Sequence, residues 1–520
     1  LAWGARKAFL GNFFFAVSVI GIACCIIGSS VKRDSEAGNC PAPVAVRPIG
    51  SSRRVLILGS VGQNAGLLDT REMQFVGSLP LPVEASDMAV RDRTGYITTN
   101  EPAGRILVVD LAEGECTAEF RVGHSPTSPV LTADGRMLCV ANRFDNTVSI
   151  IDLDTRARRD VEVIREPIAL ALSGDGERLF VANHLPQVRP FLDDENPYIG
   201  AEVSVVDVEC ARVVRHIALP NGSQGLRGMA LSPDGRYLVV SHILSHYTIP
   251  TQRIEQGAMN MNAISLIDAE SLEWYETVIL DDPERGAANP WAVAFSEDGG
   301  RLLVTHAGTH ELSVIDFSAL VKRIAAAPGA KGLYDAGSLD TLSGIRRRIA
   351  LPINGPRSVA VRGDRVYVAG YFSDELAVVD LAASEPVARV IDVGAGDDRS
   401  QARRGEEYFN DASLCHQRWQ SCATCHPDGR SDVMYWDLLN DGVGNTKNTK
   451  SLLMSARTPP AMWRGVREDA AAAIVAGMHH IQFTDVPAEK AAAIETYLRC
   501  MKTVPSPFLD ARQMESPKME

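Results

Sequence analysis

The sequence predicts a mainly β fold, a ring of four-stranded units, followed by a small all-α domain and preceded by one long apolar helix. Three observations lead there. A phrase built from an apolar strand, Asp-Gly, a second strand and a third strand closing on Ile/Val-Asp recurs through about two thirds of the 520 residues. After Gly394 that phrase stops and helical spacing surrounds a Cys-x-x-Cys-His. Near the start, Arg6 and Lys7 precede AFLGNFFFAVSVIGIACCIIGSSV, a stretch without charge, and Lys32 and Arg33 follow it.

The N-terminal stretch is longer than the apolar core of a cleaved signal peptide and long enough to span a bilayer. Residues 1–33 are therefore expected to form a signal anchor or membrane-spanning helix, and residues 34–43 a polar linker. Cys24 follows Gly21, Ile22 and Ala23, a poor lipoprotein cleavage box.

Residues 44–394 carry the repeat. DGRMLCVANRFDNTVSIIDLDT begins at Asp134 and returns in altered form at Asp175, Asp234, Asp298 and Gly363, with two diverged copies upstream. Each copy holds four short strands bounded by turn residues. Such units cannot bury their faces alone and stack around an axis, which gives a seven-bladed β-propeller. The first blade starts near Val44 with its innermost strand, so the ring is expected to close by packing alone, without a shared strand. Phrases such as LFVAN, DNTVSIIDLD and LSPDGRYLVV make these units resemble the YVTN family of seven-bladed propellers. That resemblance implies a fold and leaves the chemistry open.

Just after the second strand of successive blades stand Arg143, His184, His242, His306 and Tyr371, with His246 and His310 nearby. Loops at that point share one face of a propeller, beside two long insertions. The five residues are expected to form a docking face for the domain that follows; a histidine-borne metal site is the alternative. Cys116, Cys139 and Cys210 fall in blades, where buried thiols are expected.

In SCATCHPDGRSD, two thiols three apart with histidine after the second form the attachment signature of c-type haem. Cys422 and Cys425 would form the thioethers, and His426 would be the proximal iron ligand, for one covalently bound haem c. Zinc would need a second ligand pair at similar spacing, and none occurs. A redox dithiol would want a strand before the motif and a helix opening at the cysteines.

Residues 395–520 resemble the C-terminal haem half of the di-haem cytochrome c peroxidase and MauG family. RGEEYFNDASLC matches a first cytochrome helix with Tyr408 and Phe409 as core aromatics, and SCATCHPDGRSD, NTKNTKSLLMSARTPPAMWRG, EDAAAAIVAGMHHIQF and AEKAAAIETYLRCM follow in family order. The resemblance implies a distal methionine within a residue of Met478, with His480 as the rival and Met454 and Met462 as earlier candidates. Thioether ligation would raise the potential and a second imidazole lower it. The family's peroxidatic half is missing here, and the propeller stands in its place. Cys415 and Cys500 would lie on crossing helices, where a disulfide could form.

The expected function is therefore electron transfer by an extracytoplasmic monohaem c-type cytochrome, with the propeller as platform for a redox partner protein. The alternatives are a peroxidase or MauG-like enzyme that binds substrate at the propeller face, and a propeller with its own metal. Covalent haem attachment occurs outside the cytoplasm, and the apolar N-terminus agrees with a periplasmic or cell-exterior protein held to the membrane. A net charge of −13 without a long basic stripe argues against a nucleic-acid surface. That charge favours a basic redox partner through steering.

Overall fold

The computed structural model describes residues 40–188, 198–249, 259–326, 339–384, 386–394, 400–438 and 444–503. The expected N-terminal helix lies outside the described residues. Among the described residues, no helix is long and apolar enough to cross a membrane.

Seven antiparallel sheets follow one another as blades 1 to 7, over residues 43–80, 85–121, 126–162, 167–218, 223–279, 290–350 and 356–392. Each is four strands wide and in chain order from the axis outward; in blade 5 the innermost strand is split into Ser223–Gln224 and Met229–Leu231.

The recurring Asp-Gly makes the first hairpin turn. In blade 3 the Asp134 carboxylate accepts from Arg136 N at 3.0 Å and from the Thr132 hydroxyl at 2.6 Å, while Gly135 takes φ +74°. Left-handed backbone suits glycine there because it has no Cβ to clash. Ser173 with Asp175, Ser232 with Asp234, and Ser296 with Asp298 repeat the device. The second recurring Asp closes the third strand: Asp152 accepts from the amides of Asp154 and Thr155, and Asp110 from those of Ala112 and Glu113. In blade 6 the equivalent Asp316 caps a helix instead, accepting from Ala319 N at 2.9 Å and starting α1 (Phe317–Ala325).

The ring closes without a shared strand. Blade 1 keeps its own four strands, and its inner strand meets that of blade 7 through Val46 N donating to Ser358 Oγ at 3.1 Å. Just before that strand, Ala42 N donates to Asp374 Oδ1 at 2.7 Å. Cys40, Val46, Leu68, Tyr367 and Leu376 form one buried cluster across the seam. Burial pushes the Cys40 thiol up to about 12, so it acts as a small apolar filler. Cys139 is likewise buried, whereas Cys116 and Cys210 are exposed, against the expectation for blade cysteines. Cys116 lies on the outer strand of blade 2, and Cys210 at the turn into the outer strand of blade 4, where one side of the backbone faces water.

Because the seam is held by packing, its side chains should carry much of the ring's stability. Leu376→Ala is expected to lower the unfolding free energy by about 2–5 kcal/mol, as for other buried leucines. Denaturant titration followed by tryptophan fluorescence measures this, and an unchanged midpoint would contradict a seam closed by packing.

Candidate functional site

Beyond the blades, α2 (Gln401–Asn410) starts on Ser400, whose hydroxyl accepts from Arg403 N at 3.2 Å. It crosses α5 (Ala488–Cys500) at Gly405, where a Cβ would stand 1.9 Å from Ala493 O. Only glycine lets the two backbones come so close. One turn on, the Phe409 and Tyr497 rings meet at 5.4 Å, and Phe409 joins Ala456, Ala470, Ile494 and Leu498 in a small core. Cys415 and Cys500 are both free thiols. The expected disulfide is absent because the helices cross at Gly405, while Cys415 lies beyond the end of α2 and Cys500 at the exposed end of α5.

This core presents the Cys-x-x-Cys-His on a single turn, α3 (Cys422–Cys425). Ser421 N donates to the Thr424 hydroxyl at 3.0 Å, half of a capping box that holds the short helix. The chain then turns sharply through Asp428 at φ 52° and Gly429 at φ 72°. This brings Arg430 O to within 3.2 Å of His426 Nδ1. A carbonyl only accepts, so Nδ1 carries the proton and Nε2 keeps its lone pair. Burial pushes the imidazole down to about 4, so it is neutral at neutral pH and able to bind a metal. Burial pushes the Cys422 thiol up to about 12 and Cys425 well above its ordinary range. Neither is the stabilised thiolate of a reactive dithiol.

Cys422, Cys425 and His426 line one cavity of about 300 Å³, at the small end of the range for cofactor pockets. Its wall is chiefly apolar. Met478, 2% exposed on α4 (Ala470–His480), lines the same cavity, and so does Met462. His480 and Met454 are not among the lining residues; His480 packs edge-on against His479, which pairs with Asp485 at 2.9 Å. Two wall residues had no signal in the sequence. Met259 reaches the cavity from the long insertion of blade 5, and Trp436 is held there by its indole N–H donating to Asp432 at 3.0 Å.

The same turn is clamped to the propeller. Asp428 pairs with Arg143 of blade 3 and, at 2.9 Å, with Arg227 of blade 5. Glu166, at the start of blade 4, takes both Arg430 nitrogens at 2.5 and 2.7 Å and Arg143 at 3.2 Å. Neutral bonds continue the seam: Asn289 Nδ2 donates to Ser421 Oγ at 2.8 Å, Gln224 Nε2 to Thr424 O at 2.9 Å, and Asn260 Nδ2 to Cys425 Sγ at 3.4 Å. Gly286 N donates to Gln417 O, and a Cβ on Gly286 would lie 2.3 Å from Arg418 O.

Of the five residues expected to form the docking face, three are at it. Arg143 pairs with Asp428, His184 Nε2 faces Asp428 at 3.7 Å, and Tyr371 donates to Glu406 at 3.4 Å under the Arg403 guanidinium. His242 and His306 are not. Both are fully buried, with Nε2 on the hydroxyls of Ser265 at 2.8 Å and Ser313 at 2.7 Å of their own blades. They occupy the position of Asn142 and Asn183, whose amides bond Ser149 and Ser204 in the same way. His184 and Arg143 stand one residue later, and one residue along a strand reverses the side chain's direction. His242 and His306 are thus tied by hydrogen bonds within their own blades; among the described residues, no three of His, Cys, Asp and Glu are grouped to hold a metal.

No family model matches the chain. It is 24% identical over 196 residues to hydrazine synthase subunit beta of Kuenenia stuttgartiensis, a match covering 35% of this chain and 48% of that protein. It is 39% identical over 64 residues to hydrazine synthase subunit gamma of the same organism, covering 12% and 18%. The chain thus spans less than half the length of the curated relatives it matches. Among solved structures, Kuenenia stuttgartiensis hydrazine synthase superposes with a TM-score of 0.60 at 23% identity, over 69% of this chain and 99% of that one. The seven-bladed propeller is therefore a fold shared with a chain of hydrazine synthase.

The clamp has a defined pH response. Burial pushes the Glu166 carboxyl up, but Arg143 and Arg430 outweigh it and hold the group at about 2, below its ordinary 4.5. A depressed carboxyl stabilises fully above its unfolded value and loses that contribution as pH falls through the folded one. Between pH 4.5 and about 2 the wild type should lose stability more steeply than Glu166→Gln. Acid unfolding read by circular dichroism measures this, and parallel curves would contradict the clamp.

Proposed function

We propose that this chain is an extracytoplasmic electron-transfer protein with one covalently bound haem c, and that its propeller seats the haem domain within a redox assembly of several subunits. Convergence carries this: two cysteines on one turn, a neutral histidine and a buried thioether line one chiefly apolar cavity. Cys422 and Cys425 supply the attachment points. His426, its ring aimed by Arg430 O, and Met478, across the same cavity, would hold the iron. Haem iron in such a site supplies a one-electron carrier. Held by His426 and Met478 together, such an iron would have no open position for peroxide. In this reading residues 395–520 form a c-type cytochrome domain similar to the C-terminal haem half of the di-haem peroxidase and MauG family. The relatives are named as subunits of a synthase, which supports a role inside an assembly.

The test is a set of absorption spectra on protein made with a c-type haem attachment system. Wild type should be low-spin, Met478→Ala should turn high-spin, and His480→Ala should match wild type. Cys422→Ala with Cys425→Ala should release the haem on denaturation. A wild type already high-spin, or a change of spin state in His480→Ala alone, would overturn the ligand assignment.

A further inference from the structure

The cavity has one wall against the propeller, through Met259, and another formed by residues 444–467. That segment holds Lys447, Lys450, Arg457, Arg464 and Arg467 and not one Asp or Glu, in a chain whose net charge is −13. Glu468 and Asp469 follow it, and Asp469 is turned to the N-terminus of α4, accepting from Ala472 N at 2.9 Å.

The same segment carries three of the largest exposed apolar groups of the described residues: Met454, Trp463 and Val466, at 40, 56 and 54%. Trp463 and Val466 also line the cavity, as do Lys447, Lys450 and Arg464. Lys450 Nζ lies 5.5 Å from the Trp463 ring centre, and the indole N–H donates to Asn448 O at 2.8 Å, so the ring is fixed in position. An apolar centre with a charged rim is the composition of a transient protein interface. Charge of one sign around it speeds encounter with a partner of the other sign and sets orientation.

We infer that residues 444–467 form the electron-exchange surface, and that its partner is a small acidic redox protein whose cofactor lies near a negatively charged face. This rests on the proposed haem site. It reverses the basic partner that the overall charge suggests, because a partner responds to the field at the docking face and salt screens charges beyond about 8 Å at physiological strength.

The probe is an acidic plant-type ferredoxin, used on the intact holoprotein in two measurements: binding by titration calorimetry and reduction of the haem by stopped flow. Both are compared with reduction by a basic mitochondrial-type cytochrome c. The variants are Arg457→Glu, which does not line the cavity, the double change Lys450→Glu with Arg464→Glu, and Lys322→Glu on α1 as a control that matches the charge change of Arg457→Glu. Ferredoxin binding should weaken as salt rises and fall tenfold or more in the double variant, less in Arg457→Glu, and stay unchanged in Lys322→Glu. Binding that ignores salt and the rim variants, equal loss in Lys322→Glu, or preference for the basic cytochrome would overturn the surface. Capture by anionic lipid vesicles in place of ferredoxin would overturn it too. If binding follows the rim but no electrons pass, the surface stands and the electron-transfer reading fails; if electrons pass at a rate blind to the rim, the reading stands and the surface fails.

Discussion

Two carboxylates and three guanidinium groups at the junction of propeller and helical domain govern the geometry of this protein. Asp428 and Glu166 stand among Arg143, Arg227 and Arg430. Taking these charges out of water is expensive, and only close mutual pairing compensates; removing one partner of a buried pair typically costs about 3–5 kcal/mol. Asp428 keeps 36% of its side chain exposed, so its pairs are partly screened, whereas Glu166 is nearly enclosed. The cluster holds the tight turn after His426, and that turn places the carbonyl that orients the imidazole. Blade 4 thus reaches the candidate metal ligand through Arg430, and blades 3 and 5 through the turn at Asp428.

The site is therefore shared between two parts of the chain. The helical part provides the cysteines, His426 and Met478; the propeller provides Met259, the bond from Asn260 to Cys425, and the ionic clamp. Groups around a metal ligand set its orientation and basicity nearly as firmly as the ligand itself. With the propeller on one side and the cationic segment 444–467 on another, the cavity is screened from water where it is clamped and presents an apolar, positively charged rim elsewhere.

Much of this was legible in the sequence for identifiable reasons. The blades repeat because each needs the same Asp-Gly turn and the same closing Asp, and both devices are hydrogen-bonded as local chemistry requires. The Cys-x-x-Cys-His is a spacing that short-range geometry alone explains. Met478 was distinguishable from His480 only by direction: two residues on a helix differ by about 200° around its axis, and the sequence does not say which faces inward. The blade histidines show the same limit, since Asn142 and His242 play one role while His184, one place on, plays another. Met259, Glu166 and Asp428 owe their roles to contacts between distant parts of the chain, which no local pattern encodes.

A single haem held covalently by Cys422 and Cys425, with His426 and Met478 on its iron, would make the proposed chain a one-electron carrier. A spectroelectrochemical titration of the intact protein, paired with haem staining of the denatured chain, tests it most directly. The expected result is one haem-staining band and a single reversible wave with a slope of about 59 mV per decade, as for a one-electron couple. A chain without haem after denaturation, or a titration with two waves, would contradict it.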